Sequence, residues 1–237
     1  MYIPSHFSET DLGRISEFVR LNPLGLMVAY VEGELVGNQL PFSVPDEKIQ
    51  IGCKLITHTA KANPVWKLGE SNEKVLLVFS GYETYISPSL YPSKQDSHNV
   101  VPTYNYVSVQ LHGRVRAIHD QERKLQIVET LTKDMEKNRQ TPWAVSDAPQ
   151  DYVKTMLTNI VGLELLVEKV EAKWKVSQNR SAKDRQGVID GLRQDLKNSR
   201  NQEMAREIEK KFHLNLGILK PGRFRPGPPR SHKLLYG

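Results

Sequence analysis

The sequence predicts a small antiparallel β-barrel decorated with helices, and three observations carry that expectation. Six or seven short segments alternate apolar and polar residues or run apolar at strand length. Most are joined by connections of hairpin length, while helical periodicity is concentrated late in the chain. No glycine-rich loop leads from a strand into a helix, so neither a doubly wound dinucleotide fold nor a P-loop is expected. At 237 residues the chain suits one large domain, or one domain with an appendage.

Taken in order, Ser8-Glu9-Thr10-Asp11 reads as a helix start with Ser8 as the cap. Leu12, Ile15, Phe18 and Val19 follow at helical spacing, and Asn22-Pro23 stops the run. Strands are expected over 25–31 and 34–39, joined by the turn Glu32-Gly33 and closed by Pro41 and Pro45. A third strand is expected over 49–56. From Thr57 to Asn63 the chain leads into a helical turn at Pro64-Val65-Trp66-Lys67-Leu68. The apolar run 75–79 reads as a buried strand, interrupted by Gly81 and resumed at Tyr85-Ile86-Ser87. Residues 92–100 read as a polar loop and 102–117 as one long strand.

A charged helix is expected over 120–138, with an apolar stripe at Leu125, Val128, Leu131 and Met135. A second, over 149–161, opens at Pro149 and breaks at Gly162. An extended segment over 163–176 follows, then two helices within 181–212 split near Asn198-Ser199. The expected organisation is a barrel domain over 1–193 with inserted helices at about 120–161, a C-terminal helix over 194–216, and a basic Pro/Gly-rich disordered tail over 217–237.

Composition bounds the function classes. A single cysteine, Cys53, excludes an intramolecular disulfide framework and points to a reducing compartment. Scattered histidines give no zinc spacing, so no metal is expected. The opening Met1-Tyr2-Ile3-Pro4 lacks the basic flank and apolar run of a leader, and no stretch is long enough to cross a bilayer; a cytoplasmic protein is expected. The net charge of +6 raises nucleic acid as a partner. Much of the excess lies after residue 173 and in a tail with Arg223, Arg225, Arg230 and Lys233, which reads more simply as a solvated surface or a non-specific phosphate contact.

The segment Asn99-Val-Val-Pro-Thr-Tyr-Asn-Tyr106 is the densest in chemistry. Pro102 fixes its own φ and pushes Val101 toward extended backbone. Alternation then places Thr103, Asn105, Val107, Val109 and Leu111 on one strand face, with Tyr104, Tyr106, Ser108 and Gln110 on the other. The second face suits a flat conjugated ligand; tyrosines at a barrel rim with their hydroxyls in water would give the same pattern.

Five segments in order resemble the PaiB-type family of FMN-binding negative transcriptional regulators. They are Met1-Tyr-Ile-Pro-Ser-His-Phe7, His58-Thr-Ala-Lys-Ala-Asn-Pro-Val-Trp66, Tyr85-Ile-Ser-Pro-Ser-Leu-Tyr91, Val101-Pro-Thr-Tyr-Asn-Tyr106, and Trp174-Lys-Val-Ser-Gln-Asn-Arg180 with Asp184-Arg185 and Gly187-Val188 beyond. The resemblance spans residues 1–193. It implies an FMN-binding split β-barrel, related to pyridoxamine-phosphate oxidases and flavin reductases, acting as a homodimer with FMN between subunits. Where that family usually carries tryptophan this chain has Leu90 and Tyr104, and where it usually carries histidine this chain has Gln39 and Gln110.

FMN needs cations and hydroxyls for its phosphate and a flat slot with amide partners for its ring. Thr57, His58, Lys61 and Asn63, where a strand gives way to a turn, are the phosphate candidates. Tyr85, Ser87, Thr103, Tyr104, Asn105 and Tyr106 are the ring-side candidates. Gln178 and Arg180, with Lys175, Ser177 and Asn179, either close the pocket across a dimer interface or form a helix-capping network. No nucleophile–base pair stands out, so any oxidoreductase chemistry would belong to the flavin. A flavin-free pocket for another small-molecule ligand, and a DNA-binding repressor, remain as alternative readings.

Overall fold

The computed structural model describes residues 1–44 and 48–213. Helix α1 (Leu12–Leu21) leads into the hairpin of β1 (Leu24–Val31) and β2 (Glu34–Pro41), followed by β3 (Lys54–Ala60), β4 (Lys74–Ile86), the short α2 (Lys94–Ser97) and β5 (Thr103–Ile118). Then come α3 (Gln121–Glu136), α4 (Gln150–Thr158), β6 (Ile160–Lys175), α5 (Ala182–Gln194) and α6 (Ser199–His213). All strand pairings are antiparallel, in the order β2-β1-β4-β5-β6-β3.

The sheet curls until its two edges meet. Ser43, just past β2, bridges Ile56 of β3 through two backbone hydrogen bonds, and the Thr57 hydroxyl donates to the Pro41 carbonyl at 2.6 Å. This narrow seam makes the curled sheet a split barrel, the expected fold class. Alternation along the strands turns Leu55, Leu77, Phe79, Val109, Leu111, Leu165 and Trp174 inward, all within 1% of full burial.

Several local expectations are corrected. The cap of α1 is Asp11, whose carboxylate accepts from the amides of Gly13 and Arg14 at 2.8 and 3.2 Å, while Ser8 bridges Lys173 of β6. The third strand starts at Lys54, five residues later than expected, because residues 50–53 turn through Gly52 at φ +90°. Thr57–Ala60, expected to lead into a turn, completes that strand. The polar loop 92–100 contains α2. The stripe of α3 centres on Lys124, Ile127 and Leu131, leaving Met135 exposed.

Gly162 does not break a helix. It lies inside β6, opposite His58, and a Cβ there would fall 2.8 Å from Ile127 Cδ1, so its bareness lets α3 lie against the sheet. The interruption at Gly81 is a bulge within β4, where the register to β5 shifts between Gly81 and Thr84. The expected split between the last two helices falls at 195–198. The tail over 217–237, and the helix expected beyond His213, lie outside the described residues.

Helix α6 is clamped onto the barrel by charge. The Glu207 carboxylate accepts from Arg14 at 2.9 Å and from the Trp174 indole at 3.2 Å, and Lys211 pairs with Glu9 at 2.8 Å. No helix among the described residues is long and apolar enough to cross a membrane.

Candidate functional site

The phosphate candidates gather at the end of β3. Thr57 is buried and its hydroxyl is committed to the barrel seam. The Asn63 side chain is committed too: its oxygen caps the following 3-10 turn through the Val65 amide, and its nitrogen donates to Asn38 at 2.8 Å. Lys61 is pinned through its backbone, its amide donating to Asn159 and its carbonyl accepting from the Trp66 indole at 2.9 Å. Its ammonium has no hydrogen-bond or ion-pair partner among the described residues.

His58, on the outer sheet face beside the bare Gly162, carries a buried Nδ1 with no hydrogen-bond partner among the described residues. Burial pulls its pKa below the usual value, so the imidazole is neutral at pH 7. Sequence reasoning missed Lys124, which lies beneath this end and donates to the Leu157 carbonyl at 2.5 Å. Burial lowers its pKa, and the nearby positive charge of Lys61 adds to the effect. A lysine next to an apolar helical stripe gives no sequence signal that it will be buried.

The ring-side candidates lie elsewhere. Tyr104 pairs with Tyr85 across β4 and β5, their ring centroids 5.7 Å apart and edge-to-face, 59% and 50% exposed respectively. Tyr106 faces the same way. The Lys175 ammonium lies 5.9 Å from the Tyr106 ring and donates to the Thr103 hydroxyl at 2.5 Å. Ser87 caps the 3-10 turn 88–90 through the Ser89 amide.

Asn105 is on the inner face. Its Nδ2 donates to Ser177 at 2.8 Å, and its buried Oδ1 has no partner among the described residues. Gln178 closes on its own chain, accepting from the Val176 amide at 2.7 Å and donating to the Trp174 carbonyl. The Arg180 guanidinium stacks on Tyr91 at 4.5 Å, and Ser181, not Ser177 or Asn179, caps α5.

The structure thus separates the candidates into two sets. His58 pairs with Gly162, whose partner in β5 is Ile118; Tyr104 and Tyr106 lie at the other end of that strand. The intervening residues measure roughly 40–45 Å along the strand at about 3.3 Å each. Of the four departures from the family pattern, Tyr104, Gln110 and Gln39 lie on the outer face, whereas Leu90 packs against Gly187 and Gly191 of α5.

Residues 1–169 match the model of the family described as "Putative FMN-binding domain". The chain belongs to this family. It is also 33% identical over 214 residues to the protease synthase and sporulation protein PAI 2 of Bacillus subtilis, covering 90% of this chain and 98% of that protein. Solved structures share the fold. An FAD- and heme-binding protein from Mycobacterium smegmatis superposes with a TM-score of 0.52 at 15% identity, covering 71% of this chain and 73% of that one. The flavocytochrome Anf3 from Azotobacter vinelandii gives 0.51 at 14%, covering 73% and 72%.

His58 Nδ1, though buried, and the exposed Lys61 ammonium are groups without partners among the described residues, of the kinds a phosphate draws on. The paired tyrosines offer flat apolar surface with polar tips. These residues fit an FMN-like group only if both ends of the strand pair contribute, and one chain holds those ends apart.

Proposed function

We propose that this chain is an FMN-binding oxidoreductase whose flavin site is completed by a second copy of the chain. The observation that carries the reading is the separation of the two candidate sets, each with unspent binding groups, at opposite ends of β5. His58 and Lys61 of one protomer would hold the phosphate, the first as a neutral N–H donor and the second as a point charge. Tyr85, Tyr104 and Tyr106 of the second copy would lie against the ring.

A face for that second copy is at hand. Leu26, Val28, Leu76 and Val78 are half-buried on the outer sheet face, flanked by exposed Leu24, Tyr30 and Leu35. An apolar strip of this kind supports an interface between copies. The flavin, when bound, supplies reversible electron and hydride exchange with a small molecule. The protein positions it, keeps the phosphate neutralised and screens one face from water. We place the protein in a reducing, cytoplasmic setting, on the strength of its single buried Cys53.

Titration of the purified protein with FMN, followed by absorbance and by sedimentation velocity, tests this. Saturation near one flavin per chain in a dimer, with turnover of a reduced nicotinamide, is the expected result. Protein that is dimeric but takes up no FMN would sink the flavin reading. Tight binding without turnover would favour ligand sensing through the same pocket.

A further inference from the structure

Beside the tyrosine face lie two lysines whose charge no acid among the described residues balances. Lys173 and Lys175 alternate outward on β6, opposite Ser108 and Tyr106 of β5. The Lys173 ammonium lies 5.1 Å from the Tyr106 centroid, with the rings of Tyr2 at 5.9 Å and Phe7 at 6.0 Å around it. The Lys175 ammonium lies 5.9 Å from the same Tyr106 ring. An ammonium carries three donors. Among the described residues, Lys173 donates to one oxygen, the Tyr2 carbonyl at 3.3 Å, and Lys175 to one, the Thr103 hydroxyl at 2.5 Å.

Neither forms an ion pair among the described residues, although Lys173 is only 8% exposed. The acid best placed to serve them is Glu171, one alternation back on the same face. Its carboxylate is taken by His112 at 2.8 Å, the Met1 amine at 3.1 Å and Lys169 at 3.2 Å. Arg180 adds a third positive charge near Lys175; burial first lowers the Lys175 pKa, Tyr106 opposes it, and Lys173 and Arg180 lower it further.

Aromatic rings offset part of the cost of desolvating an ammonium, about 0.5–2 kcal/mol each, but do not neutralise it. Two like charges sharing one ring repel each other until an anion joins them. That energetic deficit is what a bound carboxylate or phosphate removes.

We propose that Lys173 and Lys175, with the Thr103 hydroxyl and the edge of Tyr106, form an anion subsite that holds the carboxylate or phosphate of the second substrate beside the tyrosine face. Assigning the anion to a substrate rests on the flavin reading above; the existence of the subsite does not. The substrate class is a planar or aromatic compound bearing one anionic group, held next to the flavin ring that the reading above lays against Tyr85, Tyr104 and Tyr106.

The test has two arms. In the first, flavin-free protein is titrated with benzoate and with inorganic phosphate at constant ionic strength, chloride being the reference, and thermal midpoints are read. At least one of the two anions should raise the midpoint by a few degrees. Lys175→Gln should abolish that rise, Lys175→Arg should retain it, and the exposed control Lys154→Gln should leave it unchanged. No rise with either anion in the unmodified protein, or a rise that survives Lys175→Gln, overturns the subsite.

In the second arm, FMN and riboflavin are titrated into Lys175→Gln. Unchanged affinity for both assigns the anion to the second substrate. Loss of FMN affinity with riboflavin retained would show that Lys175 takes the flavin's own phosphate and would overturn the substrate assignment. If FMN fails to bind even the unmodified protein, the flavin reading falls, and the first arm still decides the subsite.

Discussion

The two ends of β5 carry comparable binding chemistry built in opposite ways. At the His58–Asn63 end nearly every polar group already has a protein partner. Asn63 caps a turn, Thr57 closes the seam and the Lys61 backbone is tied on both sides. What remains is one buried imidazole nitrogen and one exposed ammonium whose backbone alone is fixed. At the Tyr104–Lys175 end the rings are half exposed and the lysines have one oxygen contact each. On the proposed reading the first end takes one fixed group and the second accepts variable surfaces, and the more fully partnered backbone favours affinity at the first.

The largest effect should come from the element both ends share. Leu111 is fully buried on the inner face of β5, midway between them. Leu111→Ala should cost about 2–5 kcal/mol through lost transfer energy and a residual cavity, and should weaken both ends together. The denaturant midpoint measures the first effect and FMN titration the second. A variant that unfolds early yet binds FMN normally would separate the ends from their scaffold.

Next come substitutions that strike one end alone. Lys61→Ala or His58→Ala should weaken FMN by roughly 10- to 100-fold, the range for about 1.5–3 kcal/mol of hydrogen bonding to a charged group. Riboflavin, which lacks the phosphate, should bind about as before. Equal losses for both ligands would remove these residues from the phosphate.

Much of this was legible in the sequence, and the remainder has definable causes. Period-two alternation marked β5 and part of β3, an apolar run marked β4 and the Glu32-Gly33 turn marked the first hairpin, whereas β6 buries both faces over 161–165 and shows no alternation at its start. Gly162 looks like a helix breaker in the local pattern, because the need for a bare strand under Ile127 is tertiary and invisible there. Lys124 sits one position from an apolar stripe, and only the docking of α4 buries it. The motifs were legible, but the distance between their two sets was not. Sequence order puts His58 before Tyr104, and only the pairing of β3 with the start of β6 sends them to opposite ends.

A smaller effect is expected from pH at the preorganised end. Burial depresses the pKa of His58 below its usual value of 6.5, so the folded state holds it neutral while the unfolded chain protonates normally. Its contribution to stability is therefore full above about pH 6.5 and lost progressively as pH falls below that value. Urea midpoints at pH 7.5 and 5.5 should show this loss in the unmodified, flavin-free protein and a smaller one in His58→Asn. A bound phosphate would favour the protonated ring, so FMN should flatten the dependence. Midpoints that respond alike in both proteins would assign the acid sensitivity to other groups.

The smallest effect is expected at the adaptable end, from restoring the residue the family usually carries. Tyr104 is 59% exposed and, among the described residues, its side chain makes a ring contact with Tyr85 and no hydrogen bond, so Tyr104→Trp should change stability by no more than about 0.5 kcal/mol. A larger π-face adds on the order of 0.5–1.5 kcal/mol of stacking where a flat ring lies against it, which caps the gain in FMN affinity at about tenfold. Gln110→His, on the same face opposite Val78 and Glu171, serves as the paired variant, since it alters polarity without enlarging the slot. Fluorescence-quenching titrations would resolve a gain confined to Tyr104→Trp, the pattern expected if Tyr104 meets the flavin ring. No gain in either variant would mean that the ring lies away from Tyr104, and that the tyrosine face serves the second substrate instead.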